Sequence, residues 1–214
     1  MRPLFITGTG TDVGKTLVSA VVVNALGADY WKPVQAGYEE GTDADTIRQL
    51  VSHPGSCIHE EVYRLRLPAS PHIAASEEGI RIQVETICAA LPSTARPLVI
   101  EGAGGLLVPL NETHFVADLI KALDAAVILV SRNCLGSINH SLLTAEACRH
   151  RGLPVLGWIF TDHYMDYQQQ IAEWTGLPVL GAIPRLQPVD RESIAMQSQR
   201  LGPVLRSKIQ FTPV

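Results

Sequence analysis

Leu4-Phe5-Ile6-Thr7-Gly8-Thr9-Gly10-Thr11-Asp12-Val13-Gly14-Lys15-Thr16 is the stretch on which the fold turns. Its first four residues form an apolar run of strand length, the glycines break the run, and an apolar segment of helical character covers 16–26. A glycine-rich turn between a strand and a helix leaves backbone N–H groups free at a helix N-terminus. The helix dipole favours negative charge there as well, so the turn is suited to hold a polyphosphate. Gly14-Lys15-Thr16 supplies side chains for the same purpose, a lysine to bridge phosphates and a hydroxyl to ligate Mg²⁺. The loop is a variant of the common eight-residue pattern, because the position five before Gly14 is Thr9, flanked by Gly8 and Gly10.

Outward from this loop the same alternation recurs. Short β-rich runs at 30–34, 97–101, 125–130, 155–160 and 179–183 are each compact and apolar enough for a strand buried on both faces. A helix is expected at 43–51, and others between the later runs. The pattern predicts an α/β fold, a parallel sheet with helices on both faces, as a single domain over 1–214. Residues 54–91 mix proline, polar residues and a periodic stretch at 80–91, and are expected to form an elaboration on the sheet. No pattern assigns the residues after Pro188.

Composition narrows the function. With 46% hydrophobic and 18% charged residues in 214, the chain is far from a disordered composition. Seventeen Lys plus Arg against 21 Asp plus Glu leave a net charge of −4, with no basic field for a nucleic acid backbone. The longest apolar stretch, 17–28, is interrupted by Ser19 and Asn24 and falls short of the ~20 residues that span a bilayer. Glycine-rich chemistry from Gly8 onward argues against a cleavable leader. Cys57, Cys88, Cys134 and Cys148 form no Cys-x-x-Cys pair and are expected to be reduced thiols of a cytoplasmic protein.

Three residues beyond the loop carry chemistry. Glu101 closes an apolar run and begins Glu101-Gly102-Ala103-Gly104-Gly105, at the carboxyl edge where open α/β sheets place their ligands. Mg²⁺ takes one or two carboxylates and fills its octahedron with water and substrate oxygens, which makes Glu101 a candidate ligand. Asp43 in Thr42-Asp43-Ala44 is either a second ligand or a helix cap, with Asp45 as the competing carboxylate. Lys32 sits inside Tyr30-Trp31-Lys32-Pro33-Val34, where a lysine either meets an anion or snorkels to water from an edge strand.

Taken in order, five blocks resemble the dethiobiotin synthetase family: the loop from Gly8 to Thr16; Lys32-Pro33-Val34-Gln35; Ser70-Pro71-His72; Glu101-Gly102-Ala103-Gly104-Gly105; and Leu135-Gly136-Ser137-Ile138-Asn139-His140. The resemblance covers most of the chain. It implies a P-loop NTPase-like sheet and an ATP-dependent ligase. In that reaction 7,8-diaminopelargonate takes up CO₂ or bicarbonate as a carbamate, ATP phosphorylates the carbamate, and the second amine closes the ureido ring. By the same resemblance Lys32, Lys15 and Thr11 stabilise the carbamate and the phosphoryl group in transit, and Thr16, Asp43 and Glu101 hold Mg²⁺. Asp12, Val13 and Gly14 join Lys15 and Thr16 around the phosphates, while Thr161, Asp162, Pro184, Arg185 and Leu186 belong to the nucleotide-base side. Lys32, Ala36 and the helix start Gly136, Ser137, Ile138 and Asn139 meet the diamine substrate, the helix start from the neighbouring subunit of a homodimer.

Three positions depart from the family. Ala36 stands where a Ser or Thr is common, Thr161 where many relatives have Asn, and Arg185 where an aromatic or apolar residue is usual. His72 and His140 lie in the matching blocks without an assigned catalytic role. The alternative is a nucleotide-switch ATPase of the partition type, whose loop carries a lysine where this chain has Gly10.

Overall fold

Side chains alternate across a strand, so a strand of consecutive buried apolar residues must have both faces covered. β1 (Leu4–Gly8) is such a strand: every residue is buried, with Leu4 and Ile6 facing one core and Phe5 the other. The computed structural model describes residues 1–209. After β1 the elements are α1 (Lys15–Leu26), β2 (Asp29–Trp31), β3 (Val34–Ala36), α2 (Asp43–Leu50), β4 (Ile58–His59), β5 (Tyr63–Leu65), α3 (Pro71–Glu77) and α4 (Val84–Ala89). There follow β6 (Leu98–Glu101), α5 (Val116–Ala122), β7 (Ala126–Arg132), α6 (Ser137–His150), β8 (Val155–Thr161), α7 (Gln168–Thr175), β9 (Val179–Ile183) and α8 (Arg191–Lys208).

Seven strands form one parallel sheet in the order β4-β2-β6-β1-β7-β8-β9. Helices α1, α2 and α8 cover the face of Leu4, Ile6, Val99, Ile128 and Ile159. The opposite face, carrying Phe5, Ile100, Val127, Leu129, Trp158 and Phe160, is covered by α5, α6 and α7. Trp158 and Phe160, two apart on β8, stack with ring centroids 5.8 Å apart. Such a pair adds about 0.5–1.5 kcal/mol beyond its burial. The expected α/β class and parallel sheet are therefore what the chain forms. Because all seven strands point the same way, the residues following β1, β2 and β6 emerge on one edge, with β1 between β6 and β7.

Two local expectations need correction, and two segments without an assigned form acquire one. The run 30–34 is two strands in two sheets: β2 stays in the main sheet, while β3 pairs with β5 in a separate two-stranded sheet. Proline has no N–H to donate to a ladder, so pairing stops at Pro33, whose carbonyl instead accepts from Val62 and Tyr63. Of the periodic stretch 80–91, only Val84–Ala89 is helical. Gln83 before it is extended, and the Asn111 side-chain amide donates to the preceding carbonyl, that of Ile82, at 2.7 Å. The segment 54–91 also contributes an edge strand, β4, to the main sheet. Beyond Pro188 the chain forms α8, which packs along α1 through Ile194, Leu201 and Leu205.

Candidate active site

The turn after β1 is set by Gly14, whose φ of 88° caps α1 in a left-handed conformation that glycine adopts without strain. Lys15 and Thr16 then begin the helix, as the sequence requires of a phosphate-binding loop. The loop after β6 lies directly against this turn. A Cβ at Gly105 would come within 3.3 Å of Gly10 Cα and the Gly8 carbonyl, so two backbones touch where a side chain would separate them.

Between these loops and the start of α3 lies a cleft of about 690 Å³. Thr11, Asp12, Gly14, Lys15 and Thr16 line it from the phosphate loop, Lys32, Gln35 and Ala36 from beyond β2, Asp43 from α2, and Glu101, Ala103 and Gly104 from β6 and its loop. Ser70 and Pro71 close the far side.

The polar groups of the cleft converge on Glu101, which is 1% exposed. The Thr16 hydroxyl lies 2.9 Å from Glu101 Oε1 and 2.5 Å from Asp43 Oδ1, within donating reach of either. Ser19 Oγ and the Tyr30 hydroxyl donate to Glu101 Oε2 at 2.7 and 3.0 Å. Lys32 Nζ bridges the two carboxylates, donating to Asp43 Oδ2 and, at 3.3 Å, to Glu101 Oε1. Lys15 Nζ donates to the Gly10 carbonyl at 2.8 Å. Lys32 is thus a buried lysine facing anions, and the edge-strand alternative does not apply.

Burial and charge set the protonation of these groups. Desolvation would lower the Lys32 pKa, but Glu101 and Asp43 outweigh it and hold the ammonium above its usual range. Burial would raise Asp43, yet Lys32 and the Thr16 hydroxyl bring its carboxyl below the usual value. Lys15 is lowered, by burial first and by repulsion from Lys32, against the pull of Glu101. The Tyr30 phenol is pushed well up by burial and by Glu101, so it stays a hydrogen-bond donor.

Asp43 and Asp45 separate cleanly. Asp45 Oδ2 accepts from the Thr42 N–H and hydroxyl at 3.1 and 2.9 Å in a reciprocal helix cap, and its other oxygen pairs with Arg48. The α2 start is fixed by Asp45, which leaves the Asp43 carboxylate turned into the cleft.

Other expected site residues lie elsewhere. Val13 is buried, and its carbonyl accepts from the Thr161 hydroxyl at 2.8 Å. Thr161 pairs in register with Ile183, so Thr161-Asp162 and Pro184-Arg185-Leu186 emerge side by side at the β8 and β9 ends, across the phosphate loop from Lys32. Asp162 Oδ2 accepts from Arg132 at 2.7 Å. Gly136, Ser137, Ile138 and Asn139 begin α6 and do not line the cleft of their own chain; the Ser137 hydroxyl is buried 2.8 Å from that of Tyr167. His72 lies outside the cleft lining, with Nδ1 3.0 Å from Ser70 Oγ.

Ser19 and Tyr30 join the site without having been singled out by the sequence, and Gln35, part of a matching block, had no role assigned there. Ser19 had a legible signal: it lies three residues after Thr16 in an apolar helix, hence on the same face. Tyr30 reads as ordinary core. Gln35 acts through backbone, accepting from the Asp43 N–H at 3.3 Å and donating to the Gly37 carbonyl at 2.8 Å.

The donor chemistry fits Mg²⁺. Thr16, Asp43 and Glu101 present hard oxygens only, in a place where a polyphosphate would supply more. Among the described residues no group of three or more His, Cys, Asp or Glu side chains could form an all-protein cage. Two carboxylates and a hydroxyl beside a phosphate loop suit a cation that shares its shell with substrate.

Comparison with known proteins agrees with this geometry. Residues 2–193 match the family model described as AAA domain. The cell division ATPase MinD of Pyrococcus furiosus aligns over 97% of this chain and 99% of its own with a TM-score of 0.64 at 12% identity. A ParA family ATPase from Chlorobium tepidum gives 0.56 at 13% over 99% of both chains. These are likenesses of fold, and they are all that favours a partition-type switch. The ATP-dependent dethiobiotin synthetase of Cytophaga hutchinsonii is 48% identical over 203 residues, 94% of this chain and 97% of that protein. That of Christiangramia forsetii is 49% identical over 183 residues, 85% of this chain and 87% of its own. With nearly half the residues shared over most of both chains, the chain belongs to the ATP-dependent dethiobiotin synthetase family.

Proposed function

We propose that this cleft joins 7,8-diaminopelargonate, CO₂ or bicarbonate and ATP, giving dethiobiotin, ADP and phosphate. The chain is by its family an ATP-dependent ligase that forms C–N bonds. The observation that carries the assignment of roles is the convergence of Lys15, Lys32, Asp43 and Glu101 on one cleft beside a phosphate loop. Phosphoryl transfer depends on positioning and on neutralising charge, and this cleft supplies both without a protein nucleophile.

In our assignment the loop amides of Asp12, Val13 and Gly14 hold the ATP phosphates. Lys15 leaves the Gly10 carbonyl to reach their oxygens. Lys32, kept protonated by its carboxylate neighbours, stabilises the carbamate and the phosphoryl group passing to it, with Thr11 as a hydrogen-bond donor. Thr16, Asp43 and Glu101 would hold Mg²⁺, which would supply charge neutralisation at the phosphates. Ala36 lies where the diamine would lie and offers it a methyl group and backbone in place of a hydroxyl. The base is assigned to the edge where β8 and β9 end, against Asp162, Pro184, Arg185 and Leu186, with Thr161 behind them under the phosphate loop.

The substrate carboxylate is assigned to the start of α6, Gly136 to Asn139, donated by the second subunit of a homodimer. The support is that this helix start lies outside the cleft of its own chain, beside exposed Leu135, Leu143 and Leu107. L143D is expected to turn dimers into monomers in sedimentation velocity, and a monomeric parent protein would overturn the arrangement. Each chain, 1–214, acts as one unit in a cytoplasmic setting that suits four free thiols.

The test is phosphate release with Mg-ATP, bicarbonate and the diamine, each omitted in turn, with dethiobiotin followed by mass spectrometry. Release requiring every component is expected. Release independent of the diamine, with no dethiobiotin formed, would refute the proposal.

A further inference from the structure

Thr161 ends β8 and is 3% exposed. Its hydroxyl donates to the Val13 carbonyl at 2.8 Å. Its methyl group lies under Gly14, where a Cβ would meet Thr161 Cγ2 at 3.0 Å. One side chain therefore supports two consecutive loop residues, immediately before Lys15 and Thr16. The surrounding backbone is committed too: the Thr161 carbonyl accepts from the Asn133 N–H, and the Asp162 N–H donates to Ile183, both at 2.9 Å. A hydroxyl has one proton, and here it satisfies a carbonyl buried in the loop. Donating it to a ligand instead would strand the Val13 oxygen.

We infer that Thr161 is a positioning residue of the phosphate loop and not a reader of the nucleotide base. It fixes the turn that Lys15 and Thr16 need for any nucleoside triphosphate, so its contribution is blind to the base. The inference rests on the proposed binding of ATP at this loop, and the controls below separate the two.

T161V keeps the volume and removes the donor, so the loop loses its tether and must be ordered when nucleotide binds. Affinity for ATP, GTP and CTP is expected to fall together by about tenfold in titration calorimetry. In turnover the KM for ATP rises by the same factor while kcat at saturation changes little, and T161S restores the parent KM. T161A, whose small side chain lets water reach the Val13 carbonyl, gives a smaller loss in the same direction and carries the test if T161V does not fold. A loss confined to ATP, changing its ratio to GTP and CTP, would make Thr161 a base reader and overturn the inference. So would a folded T161V or T161A with parental affinity for all three. A parent protein that binds no nucleoside triphosphate would instead refute the nucleotide assignment itself.

Discussion

Replacing Lys32 by methionine removes one buried ammonium and leaves two carboxylates facing one another. Lys32 is 6% and Glu101 1% exposed, while the Asp43 side chain keeps 27% exposure towards the cleft. Removing one partner of a buried ion pair costs about 3–5 kcal/mol, because the other charge stays desolvated. The opening of Asp43 to water places this site at the lower end, about 3 kcal/mol. Methionine fills the space of the lysine stem, so little of the loss comes from a cavity. At about 2–4 °C per kcal/mol for a chain of this size, K32M melts ~6–12 °C below the parent near neutral pH. The pH dependence follows from Asp43. In the parent its lowered pKa contributes stability that is present above the unfolded value of about 3.9 and lost as pH falls through the folded one. In K32M burial is opposed only by the Thr16 hydroxyl and by Lys15, so the folded pKa of Asp43 rises above its value in the parent and acid relieves part of the penalty. The gap in melting temperature therefore narrows as pH falls from about 8 towards 4. Calorimetry across that range measures it. A K32M protein that melts with the parent, or a gap that stays constant with pH, would refute the argument that Lys32 neutralises this pair.

Y30F removes one of the donors to Glu101 Oε2, leaving Ser19, and is expected to cost about 1–3 kcal/mol in urea unfolding; parental stability would show that the phenol is not needed there. D29N tests a different buried carboxylate. Asp29 Oδ2 accepts from Thr94 at 2.6 Å and Oδ1 from the Cys57 N–H at 2.8 Å, bonds that lower its pKa against the pull of burial. Its contribution is present above the unfolded value of about 3.9 and lost as pH falls through the lower folded value. D29N should therefore be less stable near neutral pH and show a shallower acid limb, and an acid limb parallel to the parent's would count against it.

Central strands were legible because burial on both faces favours apolar residues: β1, β6, β7 and β8 read as apolar runs whose polar residues fall towards their carboxyl ends, and the edge strand β9 reads as an apolar run as well. The phosphate loop was legible because its chemistry is local. What escaped was decided by partners distant in sequence. α8 hides its inward stripe by placing Gln197 and Ser198 among Ile194, Leu201 and Leu205. Ser198 is acceptable there because its hydroxyl donates to the Val21 carbonyl of α1, at 3.0 Å and 177 residues away. β4 is two residues long and exists only through its pairing beside β2, so no run announces it. In the site, Glu101 and Lys32 could be named, but the choice of Asp43 over Asp45 depended on which carboxylate capped α2.

The split at Lys32-Pro33 links fold to chemistry. β2 leaves the sheet after Trp31 because Pro33 cannot continue its ladder, which puts Lys32 at the carboxyl edge beside Glu101 of the neighbouring strand β6. The lysine is tolerable in that interior only with anions at hand, and the carboxylates only with cations and hydroxyl donors. Before substrate arrives they satisfy one another, so the cleft holds its charges in place as part of the fold. Burial makes those charges costly to hold, and under the proposed function the same burial would strengthen their action on a phosphoryl group in transit. Filling the cleft with apolar side chains would be expected to raise stability and abolish turnover, which is the sense in which this sequence keeps a site at the expense of a tighter core.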